Sequence, residues 1–139
     1  MKSSKTYMFN GKSDYVTILN GVISLNYDVN LIQGSDIEYV NQEDKEVLEY
    51  KIGYYVLKEN TLIPLVTKTG TDETGLSLKG IINEMSAYNI AEPYHNKRFF
   101  TKEIKESLED GLYFMIEAST TDNEEIVDKI ELSLSKVSK

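Results

Sequence analysis

The one histidine of the chain, His95, is the side chain best suited to acid–base chemistry or to binding a metal. It lies in Glu92-Pro-Tyr-His-Asn-Lys-Arg98, which contains no serine, cysteine or aspartate motif. The sequence has no second histidine and no cysteine to complete a transition-metal site. It therefore favours a surface-loop histidine, and it predicts no catalytic residue, no bound metal and no cofactor.

Two acidic segments, 71–75 and 121–125, could supply oxygen ligands to calcium. Neither has the regular Asp-x-Asp-x-Asp-Gly spacing, so solvated turns are the better interpretation. Segment 70–75 is no phosphate loop, because no lysine follows its second glycine in the required place. The neighbouring acids Glu109 and Asp110 do not form the opposed carboxylates of a glycosidase.

The segment 88–100 concentrates aromatic residues with the one histidine and the one arginine. Tyrosine and arginine are favoured anchors at protein interfaces, and binding sites often lie on loops of a rigid scaffold. We expect a candidate interface loop formed by Tyr88, Tyr94, His95 and Arg98. In the alternative interpretation the two phenylalanines at 99–100 begin a core strand and the two tyrosines cover one end of the core.

The stretch 112–134 predicts the β-hairpin around which the other elements are arranged. Apolar residues occupy both alternating sets from Leu112 to Ala118, as in a strand at the centre of a sheet. From Ile130 to Leu134 apolar and polar residues alternate strictly, as in a strand nearer the edge with one face in water. The polar segment 119–125 is the predicted turn.

The segment Leu108-Glu-Asp-Gly-Leu-Tyr113 leads the chain into this hairpin. Its spacing of leucine, glycine and tyrosine resembles the tyrosine corner of immunoglobulin-like and fibronectin type III-like sandwiches. The resemblance implies an all-β, antiparallel β-sandwich, with structural roles for Leu108, Gly111 and Tyr113. In such a corner the tyrosine hydroxyl bonds back to the turn backbone. Fold resemblance implies no function.

The remaining segments complete a single domain, 1–139, of about seven to nine strands. We expect turns at Asn10-Gly11 and Asn20-Gly21, a strand over 37–40, and a long strand with apolar residues alternating from Leu48 to Val56. The segment 58–61 is a predicted turn, and Pro64 indicates an edge strand or a bulge.

The later segments are less regular. Segment 68–75 is predicted to be a loop, and 76–82 to be a strand or a transition from strand to helix. One short helix is expected near 82–90, ended by Pro93. Segment 98–104 is expected to return as a strand.

The charge balance bears on the class of partner. The net charge is −8, and 106–139 hold nine acids against three lysines. This charge repels nucleic acid and anionic membrane surfaces, so we expect neither as a partner.

The absence of cysteine excludes thiol catalysis and disulfides. The first residues lack the apolar segment of a signal peptide, which predicts a protein that is cytoplasmic as synthesised, unless it is incorporated into a virion.

The sequence predicts a non-enzymatic protein-binding or structural assembly module that binds a protein partner or itself. An accessory component of a phage head or tail is one natural setting for such a module. One alternative is an acidic inhibitor or regulator that binds a basic protein. Another is a carbohydrate-binding module.

Overall fold

The computed structural model describes residues 5–25, 29–34, 36–87, 89–93 and 98–137. Nine antiparallel strands and two short α-helices occur in these ranges, each helix continuing into one turn of 3₁₀ helix. The strands are β1 (Lys5–Lys12), β2 (Val16–Leu25), β3 (Val29–Gln33), β4 (Asp36–Tyr39), β5 (Glu46–Lys58), β6 (Thr61–Ser77), β7 (Asn89–Pro93), β8 (Leu112–Thr120) and β9 (Glu125–Lys136). The helices are α1 (Leu78–Glu84, then Met85–Ala87) and α2 (Lys102–Ser107, then Leu108–Asp110).

The strands form one curled sheet that is nearly closed into a barrel, rather than two clearly separate sheets of a sandwich. The strand order is β6-β5-β8-β9-β1-β2-β3-β7, and β4 pairs with β2 beside β3. Strand β9 joins the two halves, because 125–132 pair with β8 and 133–136 pair with β1. The expectation that β9 lies near an edge is therefore wrong. Its alternating pattern showed one face in water, but not how many neighbours it has.

The predicted hairpin and the long central strand are confirmed. Strand β8 lies between β5 and β9, and its inward side chains from Leu112 to Ala118 are buried. In β5 the inward residues Ile52, Tyr54 and Val56 are buried, as the period of two predicted. The turn at 58–61 is also confirmed, because Glu59 and Asn60 both have positive φ, as a two-residue primed turn requires.

Strand β6 is the terminal strand of the sheet order, and it carries the bulge that Pro64 indicated. The register places Tyr55 opposite Pro64 and Tyr54 opposite Val66, so Leu65 is the extra residue. Pairing with β5 continues from Val66 to Thr71, and β6 extends to Ser77, so the predicted loop over 68–75 is wrong. A second register shift leaves 72–75 outside the ladder before Leu76 pairs with Val47.

Helix α1 packs against β4. It follows β6 directly, and its buried side chains recur with helical spacing at Leu78, Ile81, Ile82 and Met85. Ser86 Oγ accepts from Ile37 N at 2.9 Å and donates to Ile37 O at 2.8 Å, and Asn83 Oδ1 accepts from Tyr39 N at 3.2 Å. These side chains occupy the edge of β4 that a further strand would otherwise take.

Both predicted Asn-Gly turns are wrong. Asn10-Gly11 lies inside β1, and Asn20-Gly21 lies inside β2. The β1–β2 register shifts between Phe9 and Gly11, and Asn20 has a φ of 59° at this bulge. The left-handed conformation that Asn-Gly favours is thus used to bend a strand rather than to reverse the chain. The reversal occurs at Ser13, whose Oγ accepts from Tyr15 N and Val16 N.

The predicted strand over 98–104 is wrong, because the chain bends at 98–100 and then forms α2. Thr101 Oγ1 accepts from Ile104 N at 3.2 Å and caps the helix. The buried side chains of Phe100, Ile104 and Leu108 are four residues apart, which places them on one helical face. None of the helices in the described ranges is long and apolar enough to cross a membrane.

Candidate functional site

The predicted interface loop is described only in part. Tyr88, Tyr94 and His95 lie outside the described residues. Arg98 is exposed, and its guanidinium carbon lies 4.9 Å from the centre of the Phe99 ring. Phe100 is fully buried, which agrees with the core role of the alternative interpretation, although it precedes a helix rather than beginning a strand. An interface role for this loop stays a prediction.

A buried carboxylate, which we did not predict, joins the two ends of this loop. Glu92 on β7 is 3% exposed, and it lies opposite Asn30 in the β3–β7 ladder. Its two oxygens accept from Phe99 N at 2.7 Å and from Phe100 N at 3.0 Å. Hydrogen bonds to an ionised carboxylate are among the stronger ones in proteins. The base of the loop is therefore fixed, and Arg98 projects beside it.

The three residues of the predicted tyrosine corner lie where α2 meets β8. Leu108 is buried in the 3₁₀ turn, and Gly111 O accepts from Leu57 N of β5 at 3.1 Å. The hydroxyl of Tyr113 donates to Glu131 Oε2 across the β8–β9 pair, at 3.5 Å. In the described structure this hydroxyl thus reaches the next strand, and the segment before Gly111 is a 3₁₀ helix, Leu108–Asp110.

Local hydrogen bonds hold both acidic segments, of which 71–75 lies within β6 and 121–125 forms the β8–β9 turn. Asp72 Oδ1 accepts from the backbone N and the hydroxyl of Thr74, and these hydrogen bonds lower the pKa of Asp72. Thr120 Oγ1 accepts from Asp122 N and Glu124 N in the β8–β9 turn. No group of three or more acidic or histidine side chains suited to a metal ion occurs within the described part of the chain.

The outer edge of β6 is a second candidate site. Within the described ranges, β6 pairs with β5 alone. From Val66 to Thr71 the register is regular, and the side chains of Thr69 and Thr71 are exposed on the outer face of the barrel. An extended strand that is paired on one side presents N–H and C=O groups to a further strand. The alternation of threonines at 67, 69 and 71 could have predicted this strand from the sequence.

A trough of about 500 Å³ runs along the outer face beside this edge. Thr69 is the cross-strand partner of Lys51, and Thr71 is the partner of Glu49. The trough is lined by Glu49, Tyr50, Lys51, Thr69, Gly70, Thr71, Glu117, Ala118, Ser119 and Glu125. A neighbouring trough of about 490 Å³ shares Glu49 and Thr71 and adds Leu48, Asp72 and Glu73. The free edge and the acidic troughs are therefore continuous.

Comparison with known proteins identified no relative. No family model matched the chain, and searches of the curated proteins and of the solved structures gave no match either.

Proposed function

We propose that the chain is a non-enzymatic protein-binding or assembly module that takes up an extended strand of its partner at the free edge of β6. The observation that carries this proposal is the position of β6, a seventeen-residue strand at the end of the sheet order. Strand addition to a sheet edge is a general mode of protein recognition, in which main-chain hydrogen bonds provide affinity and alternate side chains provide specificity.

The other strand edges support this choice of β6. The edge of β4 is covered by Ser86 and Asn83. Strand β7 is five residues long and ends at Pro93, which cannot donate a hydrogen bond. In β6 itself, Pro64 and the bulge at Leu65 interrupt the first part of the edge. The segment 68–71 follows this interruption and is the part of β6 best suited to pairing; within it, the Lys68 side chain pairs with Glu84 of α1 at 3.2 Å.

Two finer predictions from the sequence belong to the same proposal. A place in a larger particle, such as a phage head or tail, is compatible with β6 receiving a strand from a different subunit of that particle. The antiparallel, mostly β architecture supports the likeness to immunoglobulin or fibronectin domains, although the nearly closed sheet differs from their two-sheet sandwich. The loop around Arg98 would then serve as a further contact surface rather than the primary one.

Strand addition is tested with an extended peptide of about eight residues, rich in Thr and Val, and with two N-methylated versions of it. The two versions carry methyl groups on opposite alternating sets of backbone nitrogens, so all three peptides have the same side chains. Fluorescence anisotropy should show that the parent and one methylated version bind and that the other does not. Equal binding of all three, or binding of none, would contradict the proposal.

A carbohydrate-binding role is the second candidate, because a cleft of about 600 Å³ lies at one end of the barrel. It combines the half-buried ring of Tyr15 with Asn41, whose amide donates to Asp14 O and accepts from Glu43 N. Aromatic faces and fixed polar groups are common in sites for small ligands. A glycan array with the wild type and Tyr15→Ala tests this role, and it fails if no glycan binds or the variant binds equally.

A further inference from the structure

We propose that the strand received by β6 is a basic segment of a different protein, with Lys or Arg at alternate positions. This inference rests on the proposed function, and it names the class of partner. It comes from the charges that line the face on which alternate side chains of an added strand would lie.

The two troughs beside the edge are strongly acidic. Their lining contains one cation, Lys51, and the carboxylates of Glu49, Asp72, Glu73, Glu117 and Glu125. The ammonium of Lys51 lies 6.0 Å from the centre of the Tyr55 ring. The hydrogen bonds from Thr74 hold the pKa of Asp72 below its ordinary value, which keeps this carboxylate charged.

The trough carboxylates have no ion-pair partner in the described part of the chain. The four ion pairs found there join Lys45 to Glu43 and Glu124, Lys58 to Glu103, and Lys68 to Glu84. All of these lie outside the two troughs. A cationic ligand would therefore pair with carboxylates that the protein leaves unpaired, without displacing a lysine from them.

The geometry of a sheet brings an added strand within reach of these groups. Neighbouring strands lie about 4.8 Å apart, so an added strand would lie about 10 Å from β5. The extended side chains of an arginine and of Glu49 together bridge this distance, and Asp72 and Glu73 lie on β6 itself. Glu117 and Glu125 are farther away and contribute mainly to the negative potential of the face.

The same charges disfavour a second copy of this chain as the partner. Two β6 edges paired with each other would bring Asp72 and Glu73 of one copy near the acidic face of the other, and each copy has a net charge of −8. Juxtaposed like charges oppose association and select against wrong partners. A basic strand of another protein could both hydrogen-bond to the free edge and pair with the carboxylates of the acidic troughs.

The test compares three peptides that share a strand-forming Thr/Val framework and carry Lys, Gln or Glu at alternate positions. We expect the Lys peptide to bind at least about tenfold more tightly than the Gln peptide at low salt, and the difference to shrink as salt is added. The triple variant Glu49→Gln, Asp72→Asn, Glu73→Gln should lose most of this preference. The control triple Glu38→Gln, Glu106→Gln, Asp110→Asn changes the net charge equally but at exposed sites outside the troughs.

The outcomes separate this inference from the proposed function. If the Lys and Gln peptides bind equally well, or if both triple variants weaken Lys-peptide binding equally, the basic-partner inference is wrong while strand addition stands. If none of the three peptides binds, both proposals are wrong. If light scattering shows a dimer and amide exchange shows protection of the β6 edge in that dimer, a second copy is the partner and the basic-partner inference is wrong.

Discussion

Glu92 and Phe100, eight positions apart in the chain, are joined by a hydrogen bond from the buried backbone N–H of Phe100 to a carboxylate oxygen, at 3.0 Å. The second oxygen of Glu92 accepts from Phe99 N at 2.7 Å. One side chain thus links β7 to the start of α2 and anchors the Phe100 ring in the core. The carboxylate is 3% exposed, so water cannot easily replace either bond.

Glu92→Gln should lower the free energy of unfolding by about 1–3 kcal/mol, because the amide keeps one acceptor and turns a donor towards a backbone N–H. Chemical denaturation measures this loss. Glu38→Gln, at an exposed position of β4, is the matched control and should change stability by less than about 0.5 kcal/mol. Equal stability of the two variants would show that the Glu92 bonds contribute little.

Gly21→Ala should destabilise the barrel by about 1–3 kcal/mol, since the new methyl group would overpack the core. Phe9 and Gly21 are cross-strand partners, and an added Cβ would lie 2.2 Å from the Phe9 ring. The Phe9 ring cannot move easily, because it is 1% exposed and packs edge-on against the Tyr54 ring, with 5.6 Å between the two ring centres.

Gly80→Ala is the control for this substitution. Gly80 lies in α1, where an added Cβ meets its nearest atom at 3.5 Å. Alanine should therefore raise stability by up to about 1 kcal/mol through its higher helix propensity. Thermal denaturation of both variants checks the pair. A Gly21→Ala protein as stable as the wild type would contradict the proposed packing of Phe9.

Tyr7→Phe should flatten the dependence of stability on pH at both ends of the range. The hydroxyl of Tyr7 donates to Glu109, and this bond, together with the charge of Lys5, holds the pKa of Glu109 below its ordinary value of 4.5. A lowered pKa stabilises the fold above the unfolded value, and this contribution is lost as the pH falls through the folded value.

The expected effect on stability at high pH follows from the pKa of Tyr7 itself. Burial, and then the hydrogen bond to Glu109, raise the pKa of Tyr7 from 10.0 to about 12. A raised pKa stabilises the fold fully below pH 10, and this contribution is lost between pH 10 and about 12. Burial also raises the pKa of Tyr39 to about 12, so part of the slope persists in Tyr7→Phe. Urea titrations across the pH range measure the free energy of unfolding at both low and high pH. If this free energy depends on pH in the same way in the wild type and in Tyr7→Phe, the prediction is wrong.

Ser86→Ala should lower the free energy of unfolding by about 1–2 kcal/mol, because it leaves the N–H and C=O of Ile37 without their partner at the edge of β4. Amide exchange at Ile37 should accelerate more than the global loss of stability accounts for. Ser133→Ala, at an exposed position of β9, provides the control. Unchanged exchange at Ile37 would mean that the helix covers this edge without the serine.

The sequence predicted strands well where one face is buried. Alternate side chains of Leu112–Ala118 and of Ile52–Val56 enter the core, whereas Leu48 lies at a bulge and Val47 takes the buried position there. The apolar residues at positions 78, 81, 82 and 85 recur with helical spacing, so the sequence also indicated α1. Barrel closure could not be predicted, because periodicity indicates which face of β9 is buried but not that it pairs with β1 as well as β8.

The candidate site was harder to predict than the fold. Segment 68–75 has the Thr, Gly and Asp composition of a loop, yet it lies within β6, because β5 provides a regular partner as far as Thr71 and pairs again from Leu76. The role of Glu92 depends on the later bend that brings the N–H groups of Phe99 and Phe100 to it. Both features arise from contacts between distant segments, which local patterns do not encode.

The most direct test of strand addition is residue-resolved amide hydrogen exchange of the protein with and without the extended Lys peptide. We expect the peptide to slow exchange at alternate amides in 68–71 and to leave β8 and β9 unchanged. Protection confined to the region of Arg98 to Phe100, or no protection in β6 at a concentration at which the peptide binds, would contradict the assignment of the β6 edge as the binding element.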